Sequence, residues 1–247
     1  MTKFKHLLHE ITLLFHNIPA TLVALLAVAV VGMNLLANKS IDLGVDWLAL
    51  DCGIVFSWLL FLVMDIVTRR YGARAANILS VGALVVNLLV ALVLLAASYI
   101  PGTWSQSYVE GSETVINGAL DATFRSSWFV ILGSSVAFIV SAVTNNLLHH
   151  LVAKAFRSRS FLAFSVSSYV STFVAQFVDN LLFAFIVSLH FFGWSAVQCV
   201  TCALTGAVAE LLCEVIFSPI GYHVVRRMEE QSVGQPYLNW RQAKEAL

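Results

Sequence analysis

The chain has 247 residues and carries 14 acidic and 14 basic side chains, so its formal net charge at pH 7 is zero. Hydrophobic residues make up 59% of it and charged residues only 11%, whereas soluble domains carry about 25% charged residues. So few charges could not cover the surface of a water-soluble domain of this length, and the zero net charge gives no indication of a nucleic-acid partner. The composition therefore predicts an integral membrane protein.

Six apolar blocks are each long enough to cross a bilayer as a helix, which takes about 20 mostly apolar residues. They are Ile18–Leu36, Leu48–Val67, Ala75–Tyr99, Trp128–Val152, Phe161–Phe192 and Trp194–His223. None of them alternates with the two-residue period of a barrel strand, so helices are expected. We predict an all-α, integral membrane bundle of six transmembrane helices over residues 17–228.

The segments outside this bundle are predicted from their polarity. Residues 1–16 place apolar side chains at helical spacing between basic ones, which favours a short helix lying on the inner leaflet; a partly disordered tail is the alternative. The longest connection, Pro101–Ser127, is expected to be a loop or a short surface helix. Residues 229–247 are polar and are expected to form a flexible cytoplasmic tail.

The distribution of basic residues predicts the orientation of the bundle. With the N-terminus inside, 12 of the 14 Lys and Arg residues fall in inside segments, and only Lys39 and Arg125 fall outside. This bias follows the positive-inside rule. Because six spans return the chain to the side on which it started, both termini are predicted to be cytoplasmic.

Three acidic residues, Asp179, Glu210 and Glu214, lie deep within the predicted fifth and sixth spans. A charged side chain at the centre of such a helix costs about 2.5–3.5 kcal/mol on insertion scales, so it is expected to face the bundle interior and to have a partner or a task. No Lys or Arg lies at a similar depth. The acids are therefore either protonated, and hold helices together, or they meet a cationic or hydrogen-bond-donating ligand.

Other polar residues of the spans join these acids as candidate ligand-binding residues. They are Gln176, Asn34, Asn87, Asn145 and Asp65. Gln176 precedes Asp179 by one helical turn, so the two share a face. For Asp65 a local ion pair with Arg69, four residues later, is the alternative.

Covalent chemistry is not predicted. Cys199 and Cys202 share a helix face, but no further metal ligand and no redox context accompany them. The sequence contains no recognisable phosphate-binding glycine loop and no nucleophile with a base. We therefore expect neither a metal nor another cofactor, and no enzymatic activity.

A series of short motifs follows a recognisable order and spacing between residues 34 and 228. Its members are Asn34, Lys39, Gly53, Phe56, Asp65-Ile66-Val67-Thr68, Tyr71-Gly72, Arg125, Ser135, Ala137-Phe138, Ser171-Thr172, Gln176, Asp179, Gly193, Glu214, Pro219 and Tyr222. This series resembles that of the VUT family, small bacterial membrane proteins known as queuosine precursor transporters. The chain departs from the family pattern at four positions: Arg69 replaces a Glu, Ala142 a Gln, Asn145 an Asp and Ser218 a Thr.

The resemblance implies a protein of the bacterial inner membrane that imports a small molecule through the lipid bilayer. Its substrates would be 7-deazapurine precursors of queuosine, such as 7-cyano-7-deazaguanine or 7-aminomethyl-7-deazaguanine, carried by secondary transport or facilitation. A guanine-type edge offers adjacent N–H donors that a carboxylate accepts together, and an Asn or Gln can serve the ring carbonyl. The resemblance leaves a homodimer open.

Two other functions compete with this one. The first is the substrate-binding subunit of an energy-coupling-factor vitamin transporter, which also has about six helices and docks through small residues of its first span. Ala20 and Ala24 have the required spacing, although such pairs are common in membrane bundles. The second is a membrane enzyme or a structural membrane protein, for which a catalytic dyad or a metal cluster would be the discriminating feature.

Overall fold

The computed structural model describes residues 3–104, 113–155 and 161–245. This part of the chain is almost entirely helical, apart from one short antiparallel hairpin, which confirms the predicted all-α class. The helices are α1 (Lys3–Asn17), α2 (Ala20–Leu36), α3 (Ile54–Tyr71), α4 (Ala73–Ala97), α5 (Glu113–Ala155), α6 (Phe161–Phe183), α7 (Leu189–Phe192), α8 (Ala196–Glu230) and α9 (Gln235–Glu245). The hairpin pairs β1 (Ser40–Ile41) with β2 (Leu50–Asp51).

The first two helices meet at a bend of 103°. Pro19 stands at this bend as the N-terminal cap of α2, where a proline is tolerated because the first turn leaves its N–H groups unpaired in any case. α1 is amphipathic, and its exposed face carries Phe4, Leu7, Leu8 and Phe15. The prediction that α1 lies on the inner leaflet is compatible with this geometry and stays a prediction.

The hairpin leads into α3 and is fastened to the start of α8. The side-chain amide of Gln198 donates to the backbone carbonyl of Asp46 at 2.9 Å, and the Thr201 hydroxyl donates to that of Trp47 at 2.8 Å. A capping box between Ser195 and Gln198 defines the start of α8. The hairpin therefore lies against the same end of the bundle at which α8 begins.

The long helices differ from the predicted blocks mainly at their ends. α5 begins at Glu113, so the second half of the predicted connection Pro101–Ser127 is helical. The predicted fifth block comprises α6, a π-helical segment over Ala184–Ser188, and α7. α6 lies between α5 and α8, and α3 lies between α2 and α8.

Four helical stretches in the described residues are long and apolar enough to cross a membrane. They are Ala73–Ala97, Thr114–Ser141, Thr172–Phe192 and Ala196–Glu230. A fifth is added if the bent pair of α1 and α2 is counted as one span. α3 has only 18 residues and contains Asp65, Arg69 and Arg70. The structure thus shows four or five helices of this character, and the six spans with both termini cytoplasmic stay a prediction.

The surface of the bundle is apolar and part of its interior is polar. Val81, Leu89 and Ile216 are each at least 57% exposed, whereas Asn87 and Gln176 are at most 3% exposed. A soluble protein rarely exposes so much contiguous apolar surface, but a bilayer would cover it. The arrangement therefore agrees with the composition.

The C-terminal residues differ from the flexible tail that we expected. α8 continues to Glu230, and α9 then returns towards α1, burying Tyr237 completely. Gly234 makes this return with a positive φ of 76°, and a Cβ there would overlap the ring of Tyr71. Although the segment is polar overall, α9 has one apolar face. This face is formed by Tyr237, Leu238 and Trp240, and it packs against the core.

Hydrogen bonds and ion pairs also hold α9 at the α3–α4 turn. The Arg70 guanidinium donates to the Val233 carbonyl at 2.7 and 3.1 Å, and Arg241 donates to the Tyr71 carbonyl at 3.1 Å. Glu10 of α1, only 1% exposed, accepts two hydrogen bonds from Arg74 at 2.5 and 2.7 Å, and the Lys244 ammonium lies 3.7 Å away. The division of the chain at residues 16 and 228 stays a prediction.

Burial alone would raise the pKa of Glu10, but the hydrogen bonds and charge of Arg74, together with Lys244 and Arg241, lower it below its ordinary value. Glu10 therefore stabilises the fold above the ordinary pKa of a glutamate, and this contribution is lost as the pH falls through the lowered pKa. We predict that Glu10→Gln lowers the free energy of unfolding at neutral pH by about 1–3 kcal/mol. Thermal unfolding in detergent as a function of pH measures this difference, which should close on acidification.

Glu230→Gln is the matched control for this prediction. Glu230 pairs with Arg226 at 3.1 Å, but both side chains are 64% exposed, and such surface pairs contribute about 0–1 kcal/mol. A difference between Glu10→Gln and the wild type that is as small as that of the control, or that persists unchanged in acid, would contradict the assigned role of Glu10.

Candidate functional site

A cavity of about 390 Å³ lies inside the bundle, between α2, α3, α4, α5, α6 and α8. It runs from Asp51 of the hairpin to Thr68 and Ala73, beside the α3–α4 turn. Small-molecule sites in proteins have volumes of about 300–1,000 Å³ and are mostly apolar with a few convergent polar groups. This cavity meets both criteria.

One face of α6 supplies a cluster of polar groups to the wall. Thr172, Gln176, Asp179, Asn180 and Phe183 all line the cavity. Their spacing of three and four residues places them on one side of a helix. Their spacing therefore directs these side chains into one cavity once α6 packs against α8.

Gln176 has a buried amide with no partner. It is 3% exposed, and neither its side-chain nitrogen nor its side-chain oxygen makes a hydrogen bond within the described residues. A buried amide without partners costs about 1–3 kcal/mol for each unsatisfied group, so buried polar atoms are nearly always paired. The amide of Gln176 is thus available to a molecule in the cavity as both donor and acceptor.

Glu210 of α8 faces the same cavity from the opposite side. The Asn180 side-chain amide donates to a Glu210 carboxylate oxygen at 3.2 Å. Gly206, one turn before Glu210, makes this approach feasible, because a Cβ there would stand 2.8 Å from the Asn180 amide nitrogen. The contact fixes Glu210 at the junction of α6 and α8.

Three carboxyl groups line the cavity, those of Asp51, Asp179 and Glu210, and no Lys, Arg or His side chain of the described residues does. Like charges in a medium of low polarity repel strongly. The cavity therefore favours protons, cations or donors of hydrogen bonds.

Aromatic rings complete the wall. Phe61 of α3, Phe138 of α5 and Phe183 of α6 line the cavity beside the polar groups. A planar ligand with polar edges could stack on such rings while its edge meets the carboxylates and amides. The cavity thus combines apolar faces with directed polar contacts.

Four of the eight residues predicted from the sequence meet in this cavity, namely Asp179, Glu210, Gln176 and Asn34. Asn34 is buried, and its amide donates to the Val30 carbonyl at 2.8 Å.

The other four predicted residues do not line the cavity among the described side chains. Asp65 makes the alternative ion pair, with its carboxylate 3.0 Å from Arg69. Glu214 interacts with the charges of this pair. Asn87 is buried in α4 with an unpaired amide nitrogen, and the side chain of Asn145 lies outside the part of the chain that the structure describes.

Sequence reasoning missed several polar residues of the wall, among them Asp51, Asn77 and Asn180. Asp51 lies near the start of the predicted second block and Asn180 lies beside Asp179, and neither was singled out. The signal for Asp51 was its position two residues before Gly53: the Gly53 N–H donates to its carboxylate at 2.7 Å, a local turn typical of Asp.

The fold and its apolar surface define a multi-pass helical membrane protein, and its interior contains a cavity of the size of a small-molecule site. Residues 51–224, more than two thirds of the chain, match the family described as "Putative vitamin uptake transporter". The chain belongs to this family, the VUT family, which confirms the resemblance seen in the sequence and makes it a transporter of the vitamin-uptake type. No curated protein and no solved structure matches the chain.

The close contact at Gly206 generates a prediction for stability. A Cβ at this position must displace Asn180 from Glu210, so Gly206→Ala is expected to lower the free energy of unfolding by about 1–2 kcal/mol, as overpacking does. Gly118→Ala is the control, because a Cβ there meets nothing within 4 Å, and alanine is the better helix former. Thermal unfolding of both variants in detergent measures the difference, and equal melting temperatures would contradict the close α6–α8 contact.

Proposed function

We propose that this protein imports 7-deazapurine precursors of queuosine across the bacterial inner membrane. One observation carries the proposal. The buried amide of Gln176, which has no partner among the described residues, lines the same cavity as the carboxyl groups of Asp179 and Glu210. Family membership supports transport of a small molecule. The deazapurine itself rests on the resemblance of the sequence motifs and on the chemistry of the cavity.

The polar groups of the cavity complement a guanine-type base. The adjacent N–H donors of such a base would meet the carboxylate of Asp179 or Glu210 through paired, charge-assisted hydrogen bonds. The Gln176 amide would donate to the ring carbonyl and accept from a ring N–H. Stacking on an aromatic side chain contributes about 1–3 kcal/mol per base in other proteins, and the three phenylalanines of the wall would supply it.

The proposed topology has six spans, with both termini in the cytoplasm. α3 would be one of the spans, with its charged end, Asp65 and Arg69, at the inner interface, where long basic side chains reach the head groups. The hairpin would then close the cavity on the outer side, and the contacts of α9 would lie on the inner side. The positive-inside distribution of Lys and Arg supports this orientation.

The preferred mechanism is stand-alone secondary transport or facilitation. The sequence shows no phosphate-binding glycine loop that would bind ATP. Transport through the cavity would then require that the hairpin end and the α3–α4 end open in turn around the bound base, as in other transporters with a central site.

The energy-coupling-factor alternative is retained for one structural reason. Ala20 and Ala24, one helical turn apart on α2, are both exposed, so this face of the bundle could dock another membrane helix closely. In that case the protein would bind the substrate but would need an ATPase complex to move it.

Asp179→Asn is predicted to reduce uptake of labelled 7-cyano-7-deazaguanine at least about tenfold, since it replaces one acceptor of a paired hydrogen bond with a donor. Gln176→Ala should reduce it similarly. The assay uses bacterial cells that neither make queuosine nor possess another importer. Glu229→Gln, an exposed cytoplasmic-end carboxyl, is the control, and uptake at the wild-type rate in both cavity variants would contradict the proposed site.

Purified protein in liposomes is predicted to equilibrate the labelled base without any ATPase. This outcome separates the two mechanisms, because a binding subunit would retain substrate affinity and yet transport nothing alone. Empty liposomes are the control. Binding without uptake would contradict the stand-alone importer and favour the energy-coupling-factor subunit.

A further inference from the structure

We infer that the cavity selects a positively charged substrate and that the Asp51 carboxylate binds the charged group of this substrate. The inference rests on the proposed function and deepens it. Of the two precursors, it names the aminomethyl base as preferred, because its primary amine, like that of a lysine, is protonated at neutral pH, whereas the cyano base is uncharged.

The first argument is the balance of charge. Asp51, Asp179 and Glu210 line one cavity without a basic side chain of the described residues beside them. Ionisation of more than one of these groups would place like charges in the same enclosed space. A cationic substrate would relieve this repulsion, whereas a neutral one would leave it in place or require protons to be taken up first.

The second argument is independent of the carboxyl groups and indicates a bound molecule. Gln176 is 3% exposed, lines the same cavity, and has both amide atoms unpaired. A buried amide of this kind normally has partners. A small inorganic cation would not satisfy its N–H group, but an organic molecule with a carbonyl and N–H groups would.

The third argument concerns the size of the cation. Among the described residues, no three His, Cys, Asp or Glu side chains lie close enough together to hold one metal ion. The carboxyl groups are instead distributed along the cavity, with Asp51 at the outer end and Asp179 in the wall formed by α6. An extended organic cation can reach both positions, with its ring at Gln176 and Asp179 and its amine at Asp51.

The position of Asp51 is built into the turn before α3. The Gly53 N–H donates to one of its carboxylate oxygens at 2.7 Å, which holds the carboxyl group in place. A Cβ on residue 53 would stand 2.7 Å from that oxygen and 3.0 Å from the Met33 carbonyl. Gly53 therefore allows the carboxylate to occupy this place, and Gly53→Ala would move the charge without removing it.

The test measures the ratio of uptake of the aminomethyl base to that of the cyano base in each variant. A ratio taken within one variant cancels differences in expression and folding. We expect the wild type to prefer the aminomethyl base at least about tenfold, since hydrogen bonds to charged groups are the stronger ones. Asp51→Asn should remove most of this preference, and Gly53→Ala should lower it.

Asp46→Asn is the control, because Asp46 lies exposed on the same hairpin and the substitution changes the net charge equally. Its ratio should equal that of the wild type. A wild type without preference, or an Asp51→Asn ratio equal to that of the wild type, would overturn the inference and leave the proposed importer intact. Uptake of neither base by the wild type would overturn the proposed function, and the inference with it.

Discussion

A bilayer offers no partner for a carboxyl or amide group, so every such group within a spanning helix must face protein, water or a ligand. This constraint organises the molecule. Apolar side chains such as Val81, Leu89 and Ile216 therefore occupy the outer surface of the bundle. Gln176, Asp179 and Glu210 instead face the same internal cavity. The polar faces of α6 and α8 line this cavity because contact with lipid would leave their polar groups without hydrogen-bond partners.

Two structural devices enclose the cavity at its ends. At the end where α8 begins, the β1–β2 hairpin is held to α8 by the side chains of Gln198 and Thr201. At the end of the α3–α4 turn, Glu10 and Arg74 tie α1 to α4, and Arg70 and its neighbours tie this turn to α9. Apolar contacts accompany both sets of polar contacts: Ala49, next to β2, clusters with Trp194, and Tyr237 of α9 belongs to the core.

The balance between acids and amides in the cavity bears on what the protein can carry. Glu210 already has a partner in Asn180, whereas the Gln176 amide has none in the described residues. A neutral donor of hydrogen bonds satisfies the amide and one carboxylate. A cation would also offset any repulsion among the three acids, and this difference would separate the two proposed precursors.

The sequence by itself determined the helical membrane class, the family and the inward turn of Asp179, Glu210 and Gln176, because apolar length, motif order and the cost of burying charge are properties of the chain alone. Only the tertiary structure decided which polar residues meet. It brought Asp51 and Asn180 into the cavity and left Glu214 and Asp65 beside Arg69. It also ordered α9, whose buried Tyr237 depends on α1 and the α3–α4 turn. Helical periodicity fixes the face on which a residue lies, but the rotation of each helix against its neighbours follows from contacts between distant parts of the chain.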